Sequence, residues 1–132
     1  MSHFKDIPHI KFEGPNTESD FAFRHYNPTE MVGDKTMSEH LKYGAAYWHV
    51  MRNELSDPFG VGTALMPWDD ASDSLENALN RVPVFFEFLE KMSIDYYCFH
   101  DRDVSPEGKN LAETFSNFEK VVDKLEEFQN QT

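Results

Sequence analysis

An α/β fold is predicted for this chain from three observations. Along residues 43–132, two short apolar runs are each followed by a loop and then by a helix-period pattern. Both helical patterns space their apolar residues by three and four, which defines one buried face. The second apolar run, Ile94 to Phe99, leads directly into His100-Asp101-Arg102-Asp103-Val104-Ser105-Pro106-Glu107-Gly108. Strand, loop and helix in that order, repeated, imply parallel strands joined by helical crossovers.

Residues 1–42 are expected to form an N-terminal arm with one short helix. The apolar residues of His9-Ile10-Lys11-Phe12-Glu13-Gly14-Pro15 and Phe21-Ala22-Phe23-Arg24-His25-Tyr26-Asn27-Pro28 are too sparse for a core of their own. The helical pattern lies within residues 29–42 and starts near Thr36. Tyr43 to Val50, aromatic and small, suits a buried strand. Asn53 to Asp70, containing Asp57-Pro58-Phe59-Gly60 and Met66-Pro67-Trp68, is a long loop, and long loops at strand ends are often functional.

The first long helix is predicted to bury Leu75, Leu79, Val82, Phe86 and Leu89, with Asp73 and Glu76 as a capping box. Pro83 lacks an amide donor and is expected to kink or divide that helix. Ile94 to Phe99 reads as a second buried strand. The last helix is predicted to bury Leu111, Phe115, Phe118, Val122 and Leu125, capped by Asn110 and Glu113. Two such units cannot close a sheet, and both edges of a two-stranded sheet stay unpaired. The chain is therefore not expected to be a self-sufficient domain.

Composition narrows the class. With 39% hydrophobic and 14% aromatic residues, 12 of them Phe, the 132 residues are expected to pack rather than stay disordered. No stretch approaches the roughly 18 apolar residues of a membrane span, and Met1 to Pro8 lacks the apolar region of a signal peptide. The single cysteine, Cys98, allows no internal disulfide and fits a reducing cytoplasm. A net charge of −12 repels polyanions, so nucleic acid is not an expected partner. Glu87, Glu90, Glu119, Asp123, Glu126 and Glu127 are expected on solvated helix faces rather than at a metal.

Three places carry candidate chemistry. His100 and Asp103 lie where a strand delivers its chain into a loop, the functional face of β/α barrels. A neutral imidazole exchanges protons near neutrality, and a carboxylate fixes its tautomer. The spacing alone favours a hydrogen-bonded structural histidine with a loop carboxylate, because His-x-x-Asp occurs often by accident. Trp48, placed in the first strand, suits either a core or a flat wall against a sugar ring. Phe59, at a loop tip, suggests insertion into a neighbour.

Phe12-Glu13-Gly14-Pro15, Ala22-Phe23-Arg24-His25-Tyr26-Asn27-Pro28, Lys35-Thr36-Met37-Ser38-Glu39-His40-Leu41, Ala46-Tyr47-Trp48-His49, Asp57-Pro58-Phe59-Gly60, Pro67-Trp68 and Tyr97 to Gly108 occur in this order. In these words the chain resembles the N-terminal portion of the xylose isomerases, particularly the class with a longer arm. The resemblance implies that residues 43–132 are the first two strand-helix units of a TIM (β/α)₈ barrel, incomplete without the rest. Such a barrel takes about 250 residues.

The resemblance also implies roles. His100 contacts the ring oxygen of a cyclic aldose and helps open it, Asp103 orients His100, Trp48 lines the sugar site, and Phe59 reaches into an adjacent subunit of a tetramer. Two divalent metals, magnesium or manganese, then promote the hydride shift that interconverts D-xylose and D-xylulose, and often glucose and fructose. The family's metal ligands and its assisting lysine lie on later strands, so neither Asp69-Asp70 nor His100, Asp101 and Asp103 is taken as a metal site. The expected partners are an aldose and a polypeptide or intact subunits completing the barrel. The alternative is a non-catalytic interaction module or degenerate remnant of that family. A barrel enzyme for a phosphosugar is disfavoured, because no Gly-rich phosphate loop is evident.

Overall fold

The computed structural model describes residues 2–131. It is a small α/β structure of short strands and helices, and the described residues form no closed barrel. In the arm, β1 (Lys11–Phe12) pairs in parallel with β2 (Ala22–Phe23), and β3 (Met31–Val32) pairs antiparallel with β4 (Lys35–Thr36). Gly33 supplies the positive φ of 69° at the tip of that hairpin. Helix α1 (Met37–His40) starts at the expected place: the Thr36 hydroxyl accepts from the Glu39 amide, and Glu39 accepts from the Thr36 amide at 2.7 Å. Neither strand pair was predicted, since two-residue strands carry no readable alternation.

The body follows the expected alternation, with changed boundaries. Strand β5 (Gly44–Ala46) pairs in parallel with β6 (Tyr96–Cys98), and between them lies α3 (Leu75–Met92). The run Tyr43–Val50 is not a single strand: after Ala46 it turns into α2 (Tyr47–Met51). Tyr47 and Met51 point into the core while His49, midway between them, is exposed, which a helical turn achieves and an extended strand, whose every second residue shares a face, does not. A short apolar run is equally good helix and strand, and here packing decided.

Helix α3 runs unbroken through Pro83. The lost donor leaves the Leu79 carbonyl without its usual partner, but Val82, Val84 and Phe85 around it are buried and hold the helix in place. Its cap is Ser74, whose hydroxyl accepts from the Asn77 amide at 3.1 Å, rather than Asp73. The buried face comprises Ala78, Val82, Phe85, Phe86 and Leu89, with Leu75 and Leu79 only partly covered. The helix ends at Ser93 in the left-handed conformation (φ 54°), where the Ile94 amide returns to the Leu89 carbonyl at 3.0 Å.

Strand β6 is shorter than Ile94–Phe99 and is not buried on both faces. Tyr97 packs against Phe85 and Phe86, whereas Tyr96 and Cys98, on the other face, are exposed. After a one-turn helix, α4 (Asp101–Val104), comes α5 (Leu111–Gln129), which packs on α3. Asn110 caps α5 as expected, accepting from the Glu113 amide at 3.0 Å. The predicted buried stripe is shifted: Val121 and Leu125 are buried, while Leu111 and Phe115 are more than half exposed. Helix α5 packs on α3 and α4, and Val121 and Leu125 in its later turns are the residues it buries.

Glu87 is no solvated helix-face charge. Its carboxylate accepts from the Ser2 hydroxyl and from the amides of His3 (2.9 Å) and Phe4 (3.0 Å), so it ties the N-terminus to α3. Phe4 then packs against Trp68 and Phe88. No helix among the described residues is long and apolar enough to cross a membrane.

Candidate functional site

The register of the two body strands builds the site. Ala46 pairs with Cys98 at the carboxyl ends of β5 and β6, and two residues beyond each lie Trp48 and His100. Equal steps from paired residues bring the two rings together, with centroids 4.4 Å apart and planes inclined by 38°. Trp48 reaches this position from the first turn of α2, not from a strand.

Asp103 fastens the imidazole. Its Oδ2 accepts from the His100 backbone amide at 2.8 Å and from Nδ1 at 2.9 Å. The turn of α4 closes the loop, with the Asp103 amide donating to the His100 carbonyl at 3.1 Å. A carboxylate accepts only, so Nδ1 carries the proton, and in the neutral imidazole Nε2 is the acceptor. The His100 side chain is about two-thirds exposed and that of Asp103 is mostly covered. A fixed base faces outward beside a flat indole wall. That arrangement suits proton exchange with a ligand oxygen lying on the wall.

Phe59 stands apart on the long loop. Asp57 Oδ1 accepts its amide at 2.7 Å and a bridge links Asp57 with Gly60, which leaves the ring 97% exposed. The structure thus unites Trp48, His100 and Asp103, while Phe59 touches almost nothing of its own chain.

A polar cluster lies beneath the site, and the sequence reading did not find it. Asp69 accepts from Asn77 Nδ2 (2.8 Å) and the Ala71 amide (2.9 Å), and it pairs with Arg81 Nη1 (3.3 Å) and Arg52 Nη1 (3.7 Å). Burial pushes the Asp69 carboxyl up, but those donors and both guanidinium charges outweigh it and hold the group below the ordinary carboxylate range. Arg81 has 4% of its side chain exposed. Its Nε and the Tyr47 hydroxyl, both buried, meet no hydrogen-bond partner among the described residues. Burial pushes the Tyr47 phenol up, against a downward pull from Arg81. A signal was available, because an arginine between Ala78, Val82 and Phe85 sits on the core face of α3 and a buried arginine requires an acid.

Arg102 also went unnoticed. It bonds the Ser105 carbonyl (3.0 Å) and Asp73 (3.3 Å) and lies 3.9 Å from Glu107. Among the described residues no three His, Cys, Asp or Glu side chains converge to hold a metal ion. The described residues do not fit the metals that the resemblance implies.

No protein-family model matches the chain. Among curated proteins it is similar to xylose isomerases. It is 49% identical to that of Rhodopirellula baltica over 132 residues, which is 100% of this chain and 30% of that protein. Over 128 residues, 97% of this chain, it is 44% identical to the enzyme of Caldicellulosiruptor bescii and 47% identical to that of Geobacillus thermodenitrificans, covering 29% and 28% of them. The chain thus spans about 30% of the length of these relatives. Across its whole length, then, this chain is related to the N-terminal portion of the xylose isomerases.

Proposed function

We propose that the chain supplies the ring-opening part of an aldose–ketose isomerase site, with D-xylose and D-xylulose, or glucose and fructose, as the sugar pair. The Trp48 indole packs against the apolar face of the cyclic sugar. His100, held as the Nδ1–H tautomer by Asp103, exchanges a proton with the sugar at Nε2, and ring opening follows. Phe59 belongs in the site of an adjacent subunit. The single observation that carries this reading is the orientation of His100, whose Nδ1 is taken by Asp103 while the ring lies against Trp48.

Residues 1–42 then serve as an arm and residues 43–132 as the first two units of a TIM barrel. The remainder of that barrel, in a tetramer-like assembly in the cytoplasm, supplies the divalent metals' ligands and the hydride shift. This chain alone is then inactive.

The test is co-expression of this chain with a polypeptide carrying the remaining part of a relative, assayed for xylose isomerisation with magnesium. His100→Gln is expected to lower turnover of cyclic aldoses by about a hundred- to ten-thousand-fold. An aldotriose, too short to form a ring, should be spared. A soluble complex with no isomerisation would overturn the proposal. So would a His100→Gln complex as active as the parent, the behaviour of a non-catalytic interaction module.

A further inference from the structure

The turn that carries Asp103 is too short to hold itself. Helix α4 has four residues and closes on two backbone bonds, Asp103 N to His100 O (3.1 Å) and Ser105 N to Asp101 O (3.0 Å). A single helical turn is unfavourable by itself, so its geometry must be imposed from outside. Burial of Val104 and Ser105 seats the end of the turn in the core, and Arg102 adds a polar fastening. Nη1 takes the carbonyl of Ser105, the residue that ends the turn, and Nη2 takes Asp73, the residue before the α3 cap. A planar guanidinium serves two acceptors in fixed directions, which a lysine ammonium does not.

The other wall of the site is tied to the same segment. Arg52, the residue that ends α2, lies 3.7 Å from Asp69. Residues 69–74 therefore anchor both the helix that carries Trp48 and the turn that carries Asp103.

We propose that Arg102 is a positioning residue for the His100–Asp103 pair, locking the α4 turn to the start of α3 so that Asp103 faces His100 Nδ1. Its catalytic consequence rests on the ring-opening reading given above. The Arg102 and Asp73 side chains are both substantially exposed, and exposed ion pairs contribute little to stability. The bond to the Ser105 carbonyl is part-buried, so loss of Arg102 should lower the unfolding midpoint modestly while freeing the imidazole.

The test uses this chain labelled with ¹⁵N-histidine, in alkaline buffer where free imidazole is neutral. The His100 resonances are identified by their absence from His100→Gln. In the parent, the ring ¹⁵N shifts should report one tautomer, with the proton on Nδ1, and an NOE should connect the His100 and Trp48 rings. Arg102→Ala and Arg102→Lys should both move the shifts toward a tautomer mixture and weaken the NOE, in a protein whose far-UV circular dichroism remains that of the parent. Asp73→Asn, a change on an exposed residue, should do the same to a smaller degree and guards against misfolding of the arginine variants.

In the co-expressed complex, Arg102→Ala should lower kcat for xylose about 10- to 100-fold, the penalty of a misplaced group, with KM little altered. Parent-like shifts and NOE in all three variants would overturn the positioning role, whatever the complex does. An inactive parent complex would instead overturn the ring-opening reading and leave the tautomer result to decide the role of Arg102.

Discussion

Removal of the Asp69 carboxylate tests the buried polar cluster directly. In Asp69→Ala, Arg81 Nη1 loses its 3.3 Å partner in a side chain that is 4% exposed, and its Nε already lacks one. Asn77 keeps the Ser72 carbonyl at 2.8 Å, but the Ala71 amide, held in a left-handed turn at φ 65°, loses its acceptor. Breaking a fully buried pair by deleting one partner costs about 3–5 kcal/mol. Asp69 retains 15% exposure, so a loss of about 2–4 kcal/mol is expected on that scale. The Arg52 contact, longer and a third exposed, adds about 0.5 kcal/mol at most.

The assay is urea unfolding followed by far-UV circular dichroism, with Arg81→Met and the double variant completing a cycle. Arg81→Met removes the buried charge and keeps an apolar stem, so the double variant should lose less than the sum, with a coupling of about 1–3 kcal/mol. A loss below about 1 kcal/mol in Asp69→Ala, or a coupling near zero, would refute the reasoning. The pH dependence follows the same logic. A carboxyl lowered on folding contributes stability above its unfolded pKa and loses it as pH falls through the folded value. The parent should thus weaken in acid more steeply than Asp69→Ala.

Four further outcomes are expected. Glu87→Ala should release residues 2–4 and their packing on Trp68, read as a shifted tryptophan emission and faster N-terminal proteolysis, at a cost of about 1–3 kcal/mol. Burial pushes the Glu87 carboxyl up, but the Ser2, His3 and Phe4 donors outweigh it and lower it, so the parent's N-terminal tether should open as pH falls through the folded value. Phe85→Ala, a fully buried ring, should cost about 3–5 kcal/mol in the same urea assay, whereas Phe115→Ser should stay within about 0.5 kcal/mol. Phe59→Ala should leave the unfolding midpoint unchanged and weaken association in the co-expressed complex, measured by sedimentation; an unfolding shift would show that the ring packs within its own chain.

Much of the site was legible because it is local in sequence. His100 and Asp103 are three apart, and any tight turn brings them into contact. The caps at Thr36 and Asn110 were legible for the same reason, since each is a bond between residues three apart. Trp48 was expected in a strand and lies in a helix, because Tyr43–Val50 satisfies strand and helix patterns alike. The α5 stripe was misjudged for another reason. Its period was correct, but which residues become buried depends on where α3 lies, and α3 covers Val121 and Leu125 rather than Leu111 and Phe115.

The sequence by itself determined the alternation of strands and helices, the family resemblance, and the pairing of His100 with Asp103. These depend on composition, order and near-neighbour spacing. Tertiary structure alone decided that Trp48 lies against His100, that Asp69 gathers Arg52, Asn77 and Arg81, that Glu87 ties down residues 2–4, and that Arg102 reaches Asp73. These contacts join residues from eight to more than eighty positions apart along the chain. Strand register and helix packing create them, and no local pattern of charge or hydrophobicity encodes which partner a side chain will meet.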